Sequence, residues 1–280
     1  MKEQEKVDAS EIRVLDSSPV TIPAAPVNAQ LRRQLIVELV REARDVSVTQ
    51  ICERLNASSH AIRRDLRILE EQGLVRRSYG RVMAVPGSLW ELGIHERQMY
   101  RTDTYAKIAD AGAKELGDAQ TIFVDEGNLP GMAVPLLPTT KQLTIVTASL
   151  HTALSVAENS SHDVVMIGGS VRKRTMATIG FWARDMLSGM AIDLAFIGTN
   201  GVSVDKGLTT PDQRVAQIKR EAIRCSQRNV LLCASSRFGL AQFVQFATIP
   251  DIDVFITDAG LTPRQQERME SAGAAFRITS

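Results

Sequence analysis

Six short apolar runs, each closed by a polar or glycine-containing turn, constrain this chain more than any other feature. They are Thr121–Val124, Leu143–Val146, Val164–Ile167, Leu194–Ile197, Val230–Cys233 and Val254–Thr257. Most are rich in β-branched residues, and each reads as a buried strand. The turns after them are Asp125-Glu126-Gly127-Asn128, Thr147-Ala148-Ser149, Gly168-Gly169, Gly198-Thr199-Asn200, Ser235-Ser236-Arg237 and Asp258. Helical patterns fall between most of the runs, near residues 105–116, 149–157, 181–189 and 211–226. This alternation predicts an α/β fold: a doubly wound, largely parallel open sheet with helices on both faces. Such sheets bind ligands outside the carboxyl ends of their strands, so the polar turns are the first place to look for a site.

The 280 residues leave room for a second domain, at about 100–200 residues each. Charge shows where it lies. Residues 1–29 carry a net charge of −2, residues 30–85 carry +4 and residues 86–280 carry −1. The positive stretch holds eleven arginines and no lysine. The forked guanidinium suits phosphates and guanine edges. Residues 1–29, with Pro19, Pro23 and Pro26 among Ser, Thr and Ala, read as a disordered arm. Residues 30–85 form a small helical unit, 86–103 a linker opened by Pro86-Gly87-Ser88, and 104–280 the α/β domain.

The N-terminus is too polar for a signal peptide, and no run approaches the ~18 apolar residues of a membrane span. The chain is therefore expected in the cytoplasm. Cys52, Cys225 and Cys233 lack paired ligand spacing and read as buried thiols. His151 and His162 read as surface or capping residues, Trp90 and Trp182 as packing anchors, and Met176, Met186 and Met190 as core or interface. Neither a metal nor a cofactor is implied.

Within residues 30–85, a first helix runs from about Leu31 to Arg44, with Leu31, Leu35, Leu39 and Ala43 inward. Asp45-Val46 reads as a short turn. Ser47 then caps a second helix, and Gln50 completes a capping box. Val48, Ile51, Cys52 and Leu55 form its core stripe. Asn56-Ala57-Ser58 turns into a third helix, capped by Ser58 or Ser59, that runs to about Gln72 and stops at Gly73. On this helix His60, Arg63, Arg64 and Arg67 fall within about 100° of arc, opposite Ile62, Leu66 and Leu69. The spacing predicts a helix-turn-helix whose third helix enters the major groove. Leu74–Arg77 and Arg81–Val85 read as a wing turning at Ser78-Tyr79-Gly80. Candidate DNA contacts are therefore Ser58, Ser59, His60, Arg63, Arg64, Arg67, Arg76, Arg77, Tyr79 and Arg81.

Arg33-Gln34-Leu35-Ile36, the Ser58-Ser59-His60-Ala61-Ile62-Arg63-Arg64-Asp65-Leu66 core, Leu69-Glu70 and Gly73-Leu74-Val75-Arg76 resemble the N-terminal domain of DeoR-family bacterial transcriptional regulators. The wing departs from the family's usual His-Gly-Gly-Ala, reading Tyr79-Gly80-Arg81-Val82. The resemblance continues to about residue 261 through Thr121–Asp125, Thr144–Thr147, Ile167-Gly168-Gly169, Asp193–Gly198, Gly207–Thr210, Lys219 and Arg237-Phe238-Gly239. It implies an effector domain related in fold to ribose-5-phosphate isomerases and amino-sugar-phosphate deaminases. It also implies a sensor for a phosphorylated sugar, coupled to operator DNA, with repression as the usual mode. Candidate ligand residues are Asp125, Gly127, Asn128, Thr147, Ser149, Gly168, Gly169, Gly198, Thr209, Lys219 and Arg237.

Where the family has Asp-Ser-Gly-Thr-Thr after the first strand, this chain has Asp125-Glu126-Gly127-Asn128-Leu129. A glutamate 4 Å from a phosphate charge repels it by ~4 kcal/mol at an effective dielectric of 20. Three readings follow. Glu126 points away from the site, or the anion is repositioned onto Arg237 and Lys219, or the ligand is an uncharged polyol or sugar. The competing class is an isomerase or deaminase fused to a DNA-binding domain. It needs a carboxylate base. Asp125, Glu126, Asp205 and Asp258 are available, but none lies in a catalytic signature of those enzymes. A homodimer or homotetramer is expected, because helix-turn-helix proteins pair on two-fold operators.

Overall fold

The computed structural model describes residues 29–43, 45–71, 75–78, 80–84 and 103–279, and the chain divides between residues 84 and 85 into two units. The expected arm up to residue 28, most of the linker, the helix stop at Gly73, Tyr79 and Trp90 lie outside the described residues.

In the first unit, α1 (Ala29–Ala43) precedes β1 (Asp45–Ser47), α2 (Val48–Leu55), α3 (Ser59–Glu71), β2 (Val75–Ser78) and β3 (Arg81–Ala84). The Ser47 capping box forms: Ser47 Oγ accepts the Gln50 N–H at 3.1 Å and the Ser47 N–H donates to Gln50 Oε1 at 3.0 Å. Asn56 ends α2 in the left-handed region at φ 44°, which its short polar side chain tolerates. Ser58 Oγ then accepts the Ala61 N–H at 3.3 Å and opens α3. Ile51, Leu55, Ile62, Leu66 and Leu69 are buried with Ile36, Val37 and Val40 of α1. One feature differs from expectation. Asp45-Val46 is a strand rather than a turn, because Val46 is buried opposite Val82 and the sheet runs β1-β3-β2. Asp65 is 1% exposed and accepts from Arg32 Nε at 2.6 Å, so it joins α3 to α1.

The second unit opens with α4 (Asp103–Ala113), β4 (Thr121–Val124), α5 (Asn128–Ala133), β5 (Thr144–Thr147), α6 (Leu150–Asn159) and β6 (Asp163–Met166). A hairpin of β7 (Ser170–Arg172) and β8 (Ala177–Ile179) leads to α7 (Phe181–Ser188) and β9 (Ile192–Ile197). Then come β10 (Gly201–Ser203), β11 (Gly207–Thr210), α8 (Gln213–Cys225), β12 (Ser226–Leu232) and β13 (Val244–Ala247). The chain closes with β14 (Val254–Asp258), α9 (Pro263–Ser271) and β15 (Phe276–Thr279). Seven strands form one sheet in the order β15-β14-β12-β9-β4-β5-β6, with every pairing parallel. β10, β11 and β13 form a small antiparallel sheet.

Alternate residues of each central strand feed two separate cores. Phe123, Ala195, Ile197, Leu231 and Phe255 join Ala183 and Leu187 of α7 and Ala216, Ile218 and Ala222 of α8. Ile122, Val124, Leu194, Phe196, Val230 and Leu232 join Ile108 of α4, Leu129 of α5 and Val156 of α6. Apolar burial on both faces is what makes the runs continuous rather than alternating. The far edge is tied by Glu115, whose buried carboxylate takes both Arg228 of β12 and Arg277 of β15.

Several side chains are not where their chemistry predicts. Trp182 is 73% exposed, because α7 turns only Ala183 and Leu187 fully inward. Met176 and Met186 are exposed, and Met190 is half-buried against the core. His162, expected at the surface or in a cap, is buried between α6 and β6, whereas His151 is exposed. Cys233 is buried, but Cys52 and Cys225 are half-buried. Among the described residues no helix is long and apolar enough to cross a membrane, and no group of His, Cys, Asp or Glu could hold a metal.

Candidate functional site

The sheet reverses its winding between β4 and β9. From β4 the chain proceeds through β5 to β6 in one direction, and from β9 through β12 and β14 to β15 in the other. A crevice opens at the carboxyl ends of the two strands that flank such a reversal. Here those ends deliver Asp125 after β4 and Gly198 after β9.

Asp125 and Lys219 meet at these strand ends, with side chains 2% and 4% exposed. The Lys219 ammonium donates to Asp125 Oδ2 and, at 3.0 Å, to the Gly198 carbonyl. The Gly198 N–H donates to the same Oδ2 at 2.8 Å. α8 supplies Lys219 from the apolar face that also buries Val215, Ala216, Ile218 and Ala222. Gly127 and Gly198 lie against one another: a Cβ at either would come within 3.5 Å of the other's Cα. The half-buried Asn128 begins α5, and its Nδ2 is buried with no acceptor among the described residues.

The other ligand candidates lie on neighbouring strands of the same edge. On β5, Thr147 Oγ donates to the Val124 carbonyl at 2.7 Å and accepts the Ser149 N–H at 3.1 Å, while Ser149 Oγ caps α6 through the Thr152 N–H. Both hydroxyls thus hold the loops in place. Gly168 and Gly169 follow β6. Gly169 has φ 143°, and a Cβ there would stand 2.6 Å from the Ile179 carbonyl, so the hairpin requires glycine. Arg237 is half-buried in a turn at residues 235–237 after β12. Burial pushes the neighbouring Cys233 thiol to a higher pKa, and the positive charge of Arg237 partly opposes that rise. At about 4.8 Å per strand, the five strands from β12 to β6 span about 19 Å. That row is longer than one monosaccharide, so the ends of β4 and β9 are its centre and Gly168-Gly169 one end. Thr209 stands apart in the small sheet, donating to the Gly201 carbonyl and accepting the Gln242 N–H.

Sequence reasoning missed a set of polar contacts around the start of α8. Thr210 Oγ donates to Asn200 Oδ1 at 3.0 Å. Asp212 caps α8 and binds Arg172 of β7 at 3.0 Å as well as Arg214. The Arg214 side chain and backbone N–H, with Arg172, hold the Asp212 carboxyl far below the usual carboxylate range against the opposing effect of burial.

In the first unit, Ser58, Ser59, His60, Arg63, Arg64 and Arg67 are all exposed on one end and face of α3. The wing residues Arg76, Arg77 and Arg81 are exposed as well. Arg77 Nε donates to Glu70 at 2.7 Å, and Arg81 Nε lies 2.8 Å from both oxygens of Asp45. A cleft of about 540 Å³ lies among α2, α3 and the wing, lined by Thr49, Ser59, Arg63, Arg77, Gly80 and Arg81 among others.

Residues 32–86 match the DeoR-like helix-turn-helix domain, and residues 101–259 match the DeoR C terminal sensor domain. The chain is 35% identical to the HTH-type transcriptional regulator GlpR of Haloferax volcanii, over 86% of its length and 94% of that protein's. It is 30% identical to the glycerol-3-phosphate regulon repressor of Escherichia coli, over 81% of its length and 90% of the relative's. Ribose 5 phosphate isomerase A from Neisseria gonorrhoeae overlaps 50% of this chain and 54% of its own at 11% identity and a TM-score of 0.37, too low to bear on function. With both domains of one family matched in chain order, and relatives aligned along most of its length, the protein belongs to the DeoR family of transcriptional regulators.

Proposed function

We propose that the protein represses a carbohydrate-catabolism operon and that a sugar phosphate, or another anionic sugar derivative, switches its operator affinity. The observation that carries this reading is the polar cluster at the carboxyl ends of β4 and β9. It holds the Asp125–Lys219 ion pair beside an Asn128 amide whose Nδ2 has no acceptor among the described residues. A buried donor without an acceptor is costly, and a ligand oxygen would remove that cost. The name of the Escherichia coli relative, a glycerol-3-phosphate regulon repressor, supports a phosphorylated polyol as the ligand class.

Asp125, Gly127, Asn128, Gly198 and Lys219 form the centre of the site in this reading. Thr147, Ser149, Gly168 and Gly169 shape its walls, Arg237 holds the anionic group from β12, and Thr209 supports the neighbouring small sheet. Binding rather than turnover is assigned. A carboxylate already taken by an ammonium and an N–H is poorly placed to abstract a proton. Ser58, Ser59, His60, Arg63, Arg64 and Arg67 face base edges and adjacent phosphates, with Arg76, Arg77, Tyr79 and Arg81 on the wing. The exposed Phe181, Trp182 and Met186 of α7 support a homo-oligomer, since large exposed apolar patches mark interaction surfaces.

The test is thermal unfolding of the full chain with triose, pentose and hexose phosphates, each beside its dephosphorylated parent. A phosphorylated compound at 100 times its Kd stabilises by about 2.7 kcal/mol, and its parent does not. Stabilisation by the free sugars alone would replace the anionic effector with an uncharged one.

A further inference from the structure

Two of the wing arginines are held by carboxylates of their own unit. Arg81 Nε sits 2.8 Å from both Oδ1 and Oδ2 of Asp45, two residues along β1 from Ser47, the cross-strand partner of Arg81. Arg77 Nε donates to Glu70 Oε2 at 2.7 Å, and the Arg77 backbone N–H donates to Oε1 of the same carboxylate at 3.0 Å. Glu70 lies two turns beyond Arg63 on α3. By contrast, Arg63, Arg64 and Arg76 make no ion pair among the described residues. The arginines are thus sorted: Arg63 and Arg64 of α3 present open guanidinium groups, while Arg77 and Arg81 of the wing are occupied.

Stability does not explain these pairs. Their side chains are 36–52% exposed, and exposed ion pairs contribute little to folding. Their position matters more. Arg63, Arg77 and Arg81 line one cleft between α2, α3 and the wing. A phosphate entering it meets three guanidinium groups, and also the two carboxylates bound to them. Each carboxylate competes with the phosphate for the same donors and repels its charge.

We propose that Asp45 and Glu70 limit the protein's affinity for DNA of arbitrary sequence by occupying Arg81 and Arg77. This rests on the reading that α3 and the wing face DNA. Phosphate contacts carry no sequence information, so withholding two of them weakens every site alike. Base contacts from Arg63, Arg64 and Arg67 then contribute a larger share of binding at the operator. The two carboxylates are specificity-determining residues that need not touch a base.

The experiment is fluorescence anisotropy of the full chain with a labelled duplex of random sequence, at salt from about 50 to 200 mM. Asp45→Asn and Glu70→Gln keep the side-chain shapes and release one arginine each. Each variant should bind about 3-fold tighter at the lowest salt, and the log–log salt slope should steepen by about 0.9 per released arginine. Arg77→Ala and Arg81→Ala should weaken binding by about 2-fold or less, because those groups are already occupied. Unchanged or weaker binding by both amide variants, with an unchanged slope, would overturn the proposal. So would a loss in Arg77→Ala or Arg81→Ala as large as that in Arg64→Ala. Arg63→Ala/Arg64→Ala keeps the two ideas separable. If that variant binds DNA like the wild type, the DNA-facing assignment of α3 has failed, whatever the carboxylates do.

Discussion

Lys219 and Asp125 are 94 residues apart in sequence and share one buried contact, in which Asp125 Oδ2 takes both the Lys219 ammonium and the Gly198 N–H. The contact ties α8 to the loops after β4 and β9, across the point where the sheet reverses its winding. Both side chains are at most 4% exposed, so each charge depends on the other for its solvation.

Removing one partner leaves a buried charge alone, which typically costs about 3–5 kcal/mol. Asp125→Asn and Lys219→Met should each lower the urea unfolding free energy by that order. The double variant should recover most of the loss, because no unpaired charge is left buried and the Gly198 N–H can still donate to the amide oxygen. Single variants within about 0.5 kcal/mol of the wild type would show that water reaches the pair.

The α3 arginines give a second expectation. An arginine that forks onto a guanine is worth about 1–3 kcal/mol of discrimination. At least one of Arg63→Ala, Arg64→Ala and Arg67→Ala should lose that much operator affinity and relax sequence preference at one base pair. Mobility-shift titrations against the operator and its single-base variants check this. Three variants with wild-type affinity would remove α3 from the groove.

Asp212 sets a pH dependence. Arg214 first, and Arg172 after it, hold its carboxyl below the ordinary range, while burial acts the other way. A depressed native pKa contributes stability above the unfolded value of about 3.9, and that contribution fades as pH falls towards the native value. The wild type should therefore exceed Asp212→Asn in stability by a constant amount from about pH 5 to 7. The gap should narrow below about pH 4. A gap that stays constant to pH 3 would mean that the carboxylate charge contributes nothing at this cap.

Much of this was legible in the sequence, for physical reasons that also mark the limits. β4 and its following Asp125 stand out because a strand buried on both faces must be apolar throughout, and a polar turn must end it. The Ser47–Gln50 capping box is local, so four residues suffice to identify it. β15 was not legible: Arg277 and Ile278 are exposed at the sheet edge, leaving too little apolar signal. β10 and β11 are short and carry Gly, Ser and Thr. Their burial comes from a neighbouring sheet strand, β13, that lies far along the chain. Asp125 and Lys219 could each be named as candidates, but their pairing depends on where β9 inserts beside β4. Trp182 misled because its size predicts burial, whereas α7 uses Ala183 and Leu187 for that purpose.

If a ligand at the carboxyl ends of β4 and β9 controls DNA binding, Asn128 is the residue whose loss should show it. Its Nδ2 has no acceptor among the described residues, so Asn128→Ala should fold and bind DNA like the wild type. The measurement is anisotropy on the intergenic DNA flanking the protein's own gene, titrated with the sugar phosphate that stabilises the wild type. The compound should release wild-type protein from DNA, and Asn128→Ala should need at least about 10-fold more of it for the same release. Equal release of both proteins at equal concentration, or no release of either, would contradict it.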